Sequence, residues 1–548
     1  METYWKKAVC ITVILITGFF IAGCGEPVQI GAESTELAPE IDLGTTIGSL
    51  AEVASPKSIP VEGYGLVGEL SGTGSSECPP QIRAYLRQYI LAQLPERKMN
   101  VEEFISSRNT SVVEVQGIMP AAVSKNQYFD VRVVALPGTQ TTSLEGGWLY
   151  GADLKVAGSF GITTKVLANA EGPVFIDTIG PSETNKKVGY ILAGGTVLDT
   201  YKVKLALQRP DYRIANIIRS RLNERFGDGT AEAVSPGQIE LRVPAKYREQ
   251  KQRFISIVRA TYLAETPQIT VERIRTFVRK LAASEDKEQS EITLETIGNE
   301  ILDKVSALLN SSDSEVRLRA ARCMLNLGDD RGLNTLREIA MDKGSFYRVS
   351  ALEAITASAS RNDAAAISRR LLRDDDFDIR LAAYASLRKL DDIAVTQKLI
   401  ARNFYLEQIT QTKHKGIFVS RSGQPRIVLF GVPIYCRGNI FVQSSDGNIT
   451  INAPAGQEDV TIIRKHPRRP NVIVQLKSSF SIADIIQTLC EEPLKRGKSG
   501  QRGLGVSYAD TIALLKEMCD KGAVQAEFRA GRLPRIGPII RYPAGRTY

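Results

Sequence analysis

Residues 61–74 read Val-Glu-Gly-Tyr-Gly-Leu-Val-Gly-Glu-Leu-Ser-Gly-Thr-Gly. Five glycines, Gly63, Gly65, Gly68, Gly72 and Gly74, fall among Tyr64, Leu66, Val67 and Leu70. Glycine inside a strand loses conformational entropy and brings no side chain to pack. A run this dense marks a place where another backbone passes close or the chain must bend. The stretch predicts a strand and turn, and two settings fit: contact within one domain, or a surface where neighbouring subunits meet. Gly63-x-Gly65-x-x-Gly68 also has dinucleotide-fingerprint spacing. However, Ser58-Ile59-Pro60 before it is a poor strand and residues 70–80 have turn chemistry where a helix should open, so no nucleotide site is expected.

At 548 residues the chain is too long for one core and predicts several domains. Hydrophobic content of 43% and charged content of 24% are those of globular domains. The net charge of +9 suits anionic surfaces, with the compartment restricting which. That compartment is set by the N-terminus. Lys6 and Lys7 precede an apolar run from Ala8 to Phe20, and Ile21-Ala22-Gly23-Cys24 closes it. This predicts an export signal over residues 1–23. Small residues before Cys24 are similar to the lipoprotein box, which implies acylation of that cysteine. Gly25 in place of aspartate implies outer-membrane sorting. An ordinary signal peptide with a chance cysteine is the alternative. Residues 24–57, rich in Glu, Pro, Gly, Ser and Thr, predict a flexible tether.

Chemistry finds little support. The cysteines stand at 10, 24, 78, 323, 436, 490 and 519, without zinc spacing, and His414 and His466 are the only histidines. Export permits disulfides, and Cys490 with Cys519 is the pair to test, buried free thiols being the alternative. Asp130 and Glu145 form a conceivable carboxylate pair, but surface charges on strands and turns are the simpler expectation. No catalytic, metal or cofactor site and no nucleic-acid partner is expected.

The coarse reading is α+β and multidomain. Pro79, Pro80 and the spacing of Ile82, Leu86, Ile90 and Leu94 predict a helix over 79–94. Residues 111–117 predict a strand, and in 128–135 the alternation of Phe129, Val131 and Val133 predicts a half-buried one. One strand is expected over 194–207, a helix over 210–226 with Ile214, Ile217, Ile218 and Leu222 on one face, and a strand over 239–244. From about 260 to 404 the chain reads as helix. Val316-Arg317-x-x-Ala320, Tyr347-Arg348-x-x-Ala351 and Ile379-Arg380-x-x-Ala383 recur with a period of 31–32 residues. They resemble HEAT-like repeats, which stack because each helical pair buries its face only on its neighbours. Arg317, Arg348 and Arg380 are expected to brace neighbouring turns. After 411 a small sheet is expected over 426–435, 439–442 and 448–452. Residues 464–469 predict a basic loop, or a contact with peptidoglycan or lipid head groups. Helices are expected over 479–489 and 504–518. Between them Gly497-Lys498-Ser499 lacks the leading glycine of a phosphate loop, since Glu492 stands there.

Gly63-Tyr64-Gly65-Leu-Val-Gly68-x-Leu-x-Gly72-Thr-Gly74 resembles the opening signature of the bacterial flagellar P-ring protein family. Gly117-Ile-Met-Pro-Ala121, Ser143-Leu144-x-Gly146-Gly147, the Pro-Asp-Tyr helix and Leu-Arg-Val-Pro244 continue the resemblance. Asp510 with the Gly522-Ala523-x-Gln525 phrase is similar to the family's closing signature. The resemblance covers roughly 58–258 and 412–530. It implies P-ring-like α+β regions over 58–258 and 406–548, interrupted by the all-α repeats of 259–405. It further implies a non-enzymatic subunit of a periplasmic homo-oligomeric ring around the flagellar rod, with rod, L-ring proteins and peptidoglycan or outer membrane as partners. Gly63, Tyr64, Gly65, Gly68, Gly72, Gly74, Ser143, Leu144, Gly146, Gly147, Asp510, Gly522, Ala523 and Gln525 are carried over as assembly and fold positions. Bulk at Gly65 or Gly147 is expected to block assembly. Family members usually have a plain cleaved signal and lack the helical block. An outer-membrane-anchored adaptor that binds another protein through its repeats is therefore the alternative.

Overall fold

The computed structural model describes residues 42–54, 58–93, 100–120, 122–159, 164–180, 184–283, 286–466, 469–492 and 503–537. The signal segment, Cys24 and the loop holding Lys498 lie outside these residues, as do Leu94 and residues 467–468 of the basic stretch.

The glycine-rich segment is one long strand, Ser58–Gly68, so Ser58-Ile59-Pro60 is strand after all. It belongs to a closed six-stranded barrel with Ser111–Pro120, Tyr128–Ala135, Val188–Val197, Ala168–Pro173 and Trp148–Val156, in that spatial order. Phe129, Val131 and Val133 point inward, as their alternation requires. They join Val61, Val67, Val115, Leu149 and Leu154 in the barrel core. A barrel needs its strands to bend, and the bend falls on glycine. The pairing of Ser58–Gly68 with Trp148–Val156 slips register between Glu62 and Val67, where Gly63 and Gly65 sit. A Cβ on Gly63 would collide with the Asp153 carbonyl, and one on Gly65 would lie 2.8 Å from Leu149 Cδ1 and 3.0 Å from Ala152 Cβ. Both causes foreseen for the glycines, close approach and bending, arise within this chain.

The strand expected over 194–207 is two strands. Val188–Val197 stays in the barrel, while Val203–Leu207 leaves it for a separate sheet with Ala51–Val53, Gln238–Leu241 and Ala231–Ser235. Helix Tyr212–Phe226 buries Ala215, Ile218 and Leu222, and the Asp211 carboxylate caps it by accepting from Arg213 N at 2.7 Å. The end of the expected tether is likewise folded. Ile47 has no exposed surface, its N–H donates to Thr261 O at 2.9 Å, and Ala51–Val53 pairs with Leu205–Leu207. Ile47, Ala51 and Val53 supply the apolar surface that a tether lacks.

Helices Pro267–Ala283 and Lys287–Ile297 begin an all-helical stretch. Ser314–Asn326, Arg331–Met341, Arg348–Ser358, Arg361–Leu371 and Phe377–Lys389 continue it and share one core. The stretch ends at Lys389, earlier than expected, and Thr396–Ile400 is already a strand.

The C-terminal region holds two sheets where one small one was expected. Thr396–Ile400, Phe404–Ile409, Arg426–Phe430, Gly416–Val419 and Glu527–Ala530 form a mixed five-stranded sheet in that order. Ile440–Gln443, Ile449–Ala453, Val460–His466 and Arg469–Ser478 form a four-stranded antiparallel meander backed by helices Ile482–Cys490 and Tyr508–Asp520. The basic stretch expected as a loop is thus the end of a hairpin, carried by the β-branched runs on either side of it. The five described cysteines are free thiols, so Cys490 and Cys519 are not paired. Cys490 Sγ lies 3.1 Å from Thr511 Oγ1, and burial pushes its thiol up to about 12.

Gly65→Val adds bulk inside the barrel, so it acts on folding. We expect a loss of about 1–3 kcal/mol in chemical denaturation, the usual cost of overpacking, while Gly438→Ser, at an exposed glycine with open space around it and no left-handed backbone, changes stability less. Equal stability of Gly65→Val and wild type would refute the packing described here.

Candidate assembly surface

Two glycine-bearing segments meet at one end of the barrel. Thr73 O accepts from Thr142 N at 2.8 Å, and Thr73 Oγ1 donates to Ser143 O at 2.8 Å. Gly74 packs against the Thr110 carbonyl with no room for a Cβ, and Gly147 does the same against Val67 and Leu70. Gly72 and Gly146 turn the chain at φ +82° and +71° in open space. Leu144 is fully buried, with its N–H on Lys186 O at 2.8 Å, and the exposed Glu145 pairs with Lys186 at 2.7 Å. Ser143 and Leu144 therefore pin the loop, while Ser71, Gly72, Thr142, Glu145 and Gly146 face solvent there.

The outward side of the same strands is aromatic. Trp148 and Tyr150, two residues apart and so on one face, expose 42% and 38% of their surface. Gly68 makes the space that the Tyr150 ring occupies. Tyr150 packs on Phe104 with 5.5 Å between centroids. Beside them helix Pro80–Gln93 leaves a cleft of about 240 Å³ against the barrel, lined by Gly63, Tyr64, Tyr85, Gln88, Asp153 and Lys155. The Lys155 ammonium stands 5.6 Å from the Tyr85 ring. Burial, aided by the Asp153 charge, pushes the Tyr85 hydroxyl up to about 12, so it remains a neutral donor. Aromatic faces with polar rims are the chemistry of protein contact. Among the described residues no group of His, Cys, Asp and Glu is placed to hold a metal ion.

The C-terminal candidates divide. Asp510 stands in the first turn of its helix, which Ser507 caps: Asp510 N donates to Ser507 Oγ at 3.1 Å, and Ser507 Oγ donates to Asp510 Oδ2 at 2.7 Å. Burial raises its carboxyl, Ser507 opposes this, and the charges of Glu145 and Asp446 add to it. Asp510 therefore lies near the Ser143–Gly147 loop. Gly522, Ala523 and Gln525 sit at the far end of that helix. There Gly522 turns at φ +70°, Ala523 O accepts from Arg437 N at 2.8 Å, and Gln525 is exposed. The repeat arginines hold turns. Arg317 donates to Ser311 O at 2.6 Å, Arg348 to Asp374 at 3.3 Å, and Arg380 to the carbonyls of Asp374 and Asp375 at 2.8 and 2.7 Å.

Sequence reasoning missed the charged groups that join the regions. Asp130, read as a surface charge, is largely buried and accepts from Ala193 N at 2.7 Å and Gly423 N at 2.9 Å, joining the barrel to the C-terminal sheet. Asp177 pairs with Arg421 at 2.9 Å beside it. Glu291 and Glu295 on helix Lys287–Ile297 are wholly buried. Glu291 accepts from Arg253 at 2.7 Å, Arg322 at 2.7 Å and Arg319 at 3.2 Å; Glu295 accepts from Arg253 at 3.1 Å and Asn326 at 3.0 Å. One signal was present: Arg319 and Arg322 are an i,i+3 pair on one helix face, opposite an acidic i,i+4 pair.

These features define a mixed α+β, multidomain protein built on a glycine-bent barrel. Residues 46–274, the barrel and its companion sheet, match the family model described as flagellar P-ring protein. Over these residues the chain is similar to the flagellar P-ring protein family. It is 32% identical over 227 residues to the flagellar P-ring protein of Nitrosomonas europaea, covering 38% of this chain and 58% of that protein. The Thermotoga maritima protein of the same description is 29% identical over 229 residues, covering 39% of this chain and 65% of its own length. The Anaeromyxobacter dehalogenans one is 29% identical over 227 residues, with 39% and 58% covered. The chain thus spans about three fifths of the length of the curated relatives it matches.

The buried carboxylates give a pH test. Burial would raise the Glu291 carboxyl, but Arg253 and Arg322 overcome this and hold it below its ordinary 4.5. A depressed folded-state pKa contributes stability that is present above 4.5 and lost as pH falls through the lower folded value. Glu291→Ala is expected to cost about 3–5 kcal/mol at neutral pH by leaving the arginines uncompensated. Glu291→Gln is expected to flatten the acid limb of stability against pH. Acid limbs of equal steepness in wild type and Glu291→Gln would contradict this account.

Proposed function

We propose that this chain is a structural subunit of a P-ring-like periplasmic ring around the flagellar rod, serving as a bushing for rotation. The match of residues 46–274 carries the reading, because it covers the whole barrel and its exposed aromatic face. Function in such a subunit is contact, and no catalytic step is assigned. Copies of the chain, the rod, L-ring proteins and the peptidoglycan or outer-membrane surface are the proposed partners. Acylation of Cys24 would hold the chain at the outer membrane. The C-terminal region, beyond the matched residues, is proposed as a P-ring-like part on the signature at Asp510 and Gly522–Gln525. The helical stretch is proposed as a HEAT-like decoration inserted between the two parts.

The alternative reading, an envelope adaptor, draws on one feature of that stretch. A groove of about 610 Å³ is lined by Ala354, Ala357, Ala382 and Ala385 of that stretch together with Lys246, Glu353 and Lys389. Small residues and mixed charges suit a bound polypeptide.

Electron tomography of a deletion strain separates the two. Loss of a ring around the rod together with lost motility is the outcome expected of the bushing. An intact basal body would overturn it and leave the adaptor reading. Cys24→Ser is expected to move the protein from the membrane fraction to the soluble periplasmic fraction on cell fractionation, and unchanged membrane association would remove the lipid anchor.

A further inference from the structure

The four-stranded meander has two free edges. Among the described residues Arg469–Ser478 pairs with Val460–His466 alone, and Ile440–Gln443 with Ile449–Ala453 alone. A free edge carries unpaired backbone N–H and C=O groups and templates another strand unless it is blunted. Neither edge is blunted by charge at its centre. Val472, Ile473 and Val474 are consecutive, so they project from both faces, and they expose 43%, 58% and 45% of their surface. On the opposite edge Phe441 exposes 61%.

The geometry points to head-to-tail strand addition between copies of this chain, Arg469–Ser478 of one copy pairing with Ile440–Gln443 of the next, as a subunit contact of the ring. This rests on the ring-subunit reading above. Three observations select a second copy as the occupant. The edges are different surfaces of one sheet, so their pairing is heterologous, which is the interface type that closes rings. The meander alternates direction strand by strand, so the next copy's Ile440–Gln443 continues it antiparallel to Arg469–Ser478. That alignment also fixes which charges meet. The turn after Gln443 lies at the same sheet end as Lys465, whose N–H donates to Asn448 O at 2.8 Å. Asp446 in that turn is exposed; Ser444 and Asn448 hold its carboxylate by hydrogen bonds, and Arg464 and Lys186 of the same chain add a longer-range attraction. Strand addition brings the next copy's Asp446 to the hairpin end that carries the exposed Lys465.

The test uses the purified full-length chain with a short thiol cross-linker. The double variant Gln475→Cys/Gln443→Cys, two exposed positions in one row of the sheet, is expected to give a ladder of multimers, while each single variant gives only the wild-type background from native thiols. Dimers from Gln475→Cys alone would show like edges pairing and overturn the proposal. So would wild-type rings seen by electron microscopy without a ladder in the double variant, a result that leaves the ring reading standing. A wild-type chain that forms no multimer overturns the ring reading and this contact with it. In cells, cross-linking of Gln475→Cys to a different protein overturns a second copy as the occupant. Val472→Lys/Val474→Lys places charge on the edge without touching the core; ring yield is expected to fall about tenfold or more with the far-ultraviolet circular dichroism unchanged. Undiminished ring yield in that variant overturns the proposal.

Discussion

Glu291 and Glu295 leave water entirely, and the architecture depends on how their charges are met. The effective penalty for burying a carboxylate is several kcal/mol, and it is offset only when geometry is good and every lone pair finds a donor. The donors come from three directions. Arg253 reaches in from helix Lys251–Ala260 of the matched region, Arg319, Arg322 and Asn326 from helix Ser314–Asn326, and Arg225 holds the carbonyls of Glu295 and Thr296. None of these elements can shift without stranding a buried charge. The helical stretch therefore starts as a part fused to the barrel region through its companion sheet.

Its other end is fixed in the same way. Glu407 in the five-stranded sheet has no exposed surface and accepts from Arg388 at 2.9 Å and from the Tyr384 hydroxyl, both on the last helix. Phe377 and Tyr384 pack on Phe430 with centroids 5.4 and 5.8 Å away. The chain then closes on itself. Phe175 of the barrel region packs on Tyr508 at 6.1 Å, and Asp130 and Asp177 bind Gly423 and Arg421. Two β-rich regions separated by some 120 helical residues thus share a boundary. Buried pairs at both ends add little net stability compared with apolar substitutes, but breaking one is severe, so they specify one arrangement of the regions.

What could be read in the sequence was what local periodicity encodes. Tyr128–Ala135 alternates, Pro80–Gln93 and Tyr212–Phe226 have helical faces, and the Arg-x-x-Ala spacing marks the helical pairs. The errors arose where tertiary contact decided. Residues 198–202 break one expected strand because its two halves serve different sheets. Arg464 and Lys465 suggested a loop, yet Arg464 is drawn in by the Leu504 carbonyl and the strand runs on. Ser290 to Thr296 carries an acidic i,i+4 pair, a pattern that is usually solvated; only the arrival of Arg253 from far along the chain makes it a core.

The glycine signature shows why a recognisable motif and a binding surface need not coincide. Gly63, Gly65, Gly68, Gly74 and Gly147 are each filled against this chain's own atoms. A side chain there meets a carbonyl or a packed side chain, and such a clash admits few substitutes. Contacts between subunits face a weaker constraint. Trp148, Val472 or Phe441 on an exposed face can be exchanged for another apolar residue at small cost to the fold, because solvent, not a packed neighbour, lies beyond them. A motif built from irreplaceable positions therefore reports how the barrel closes. The surfaces that would join one copy to the next have to be sought where the fold leaves backbone and apolar side chains without an intrachain partner.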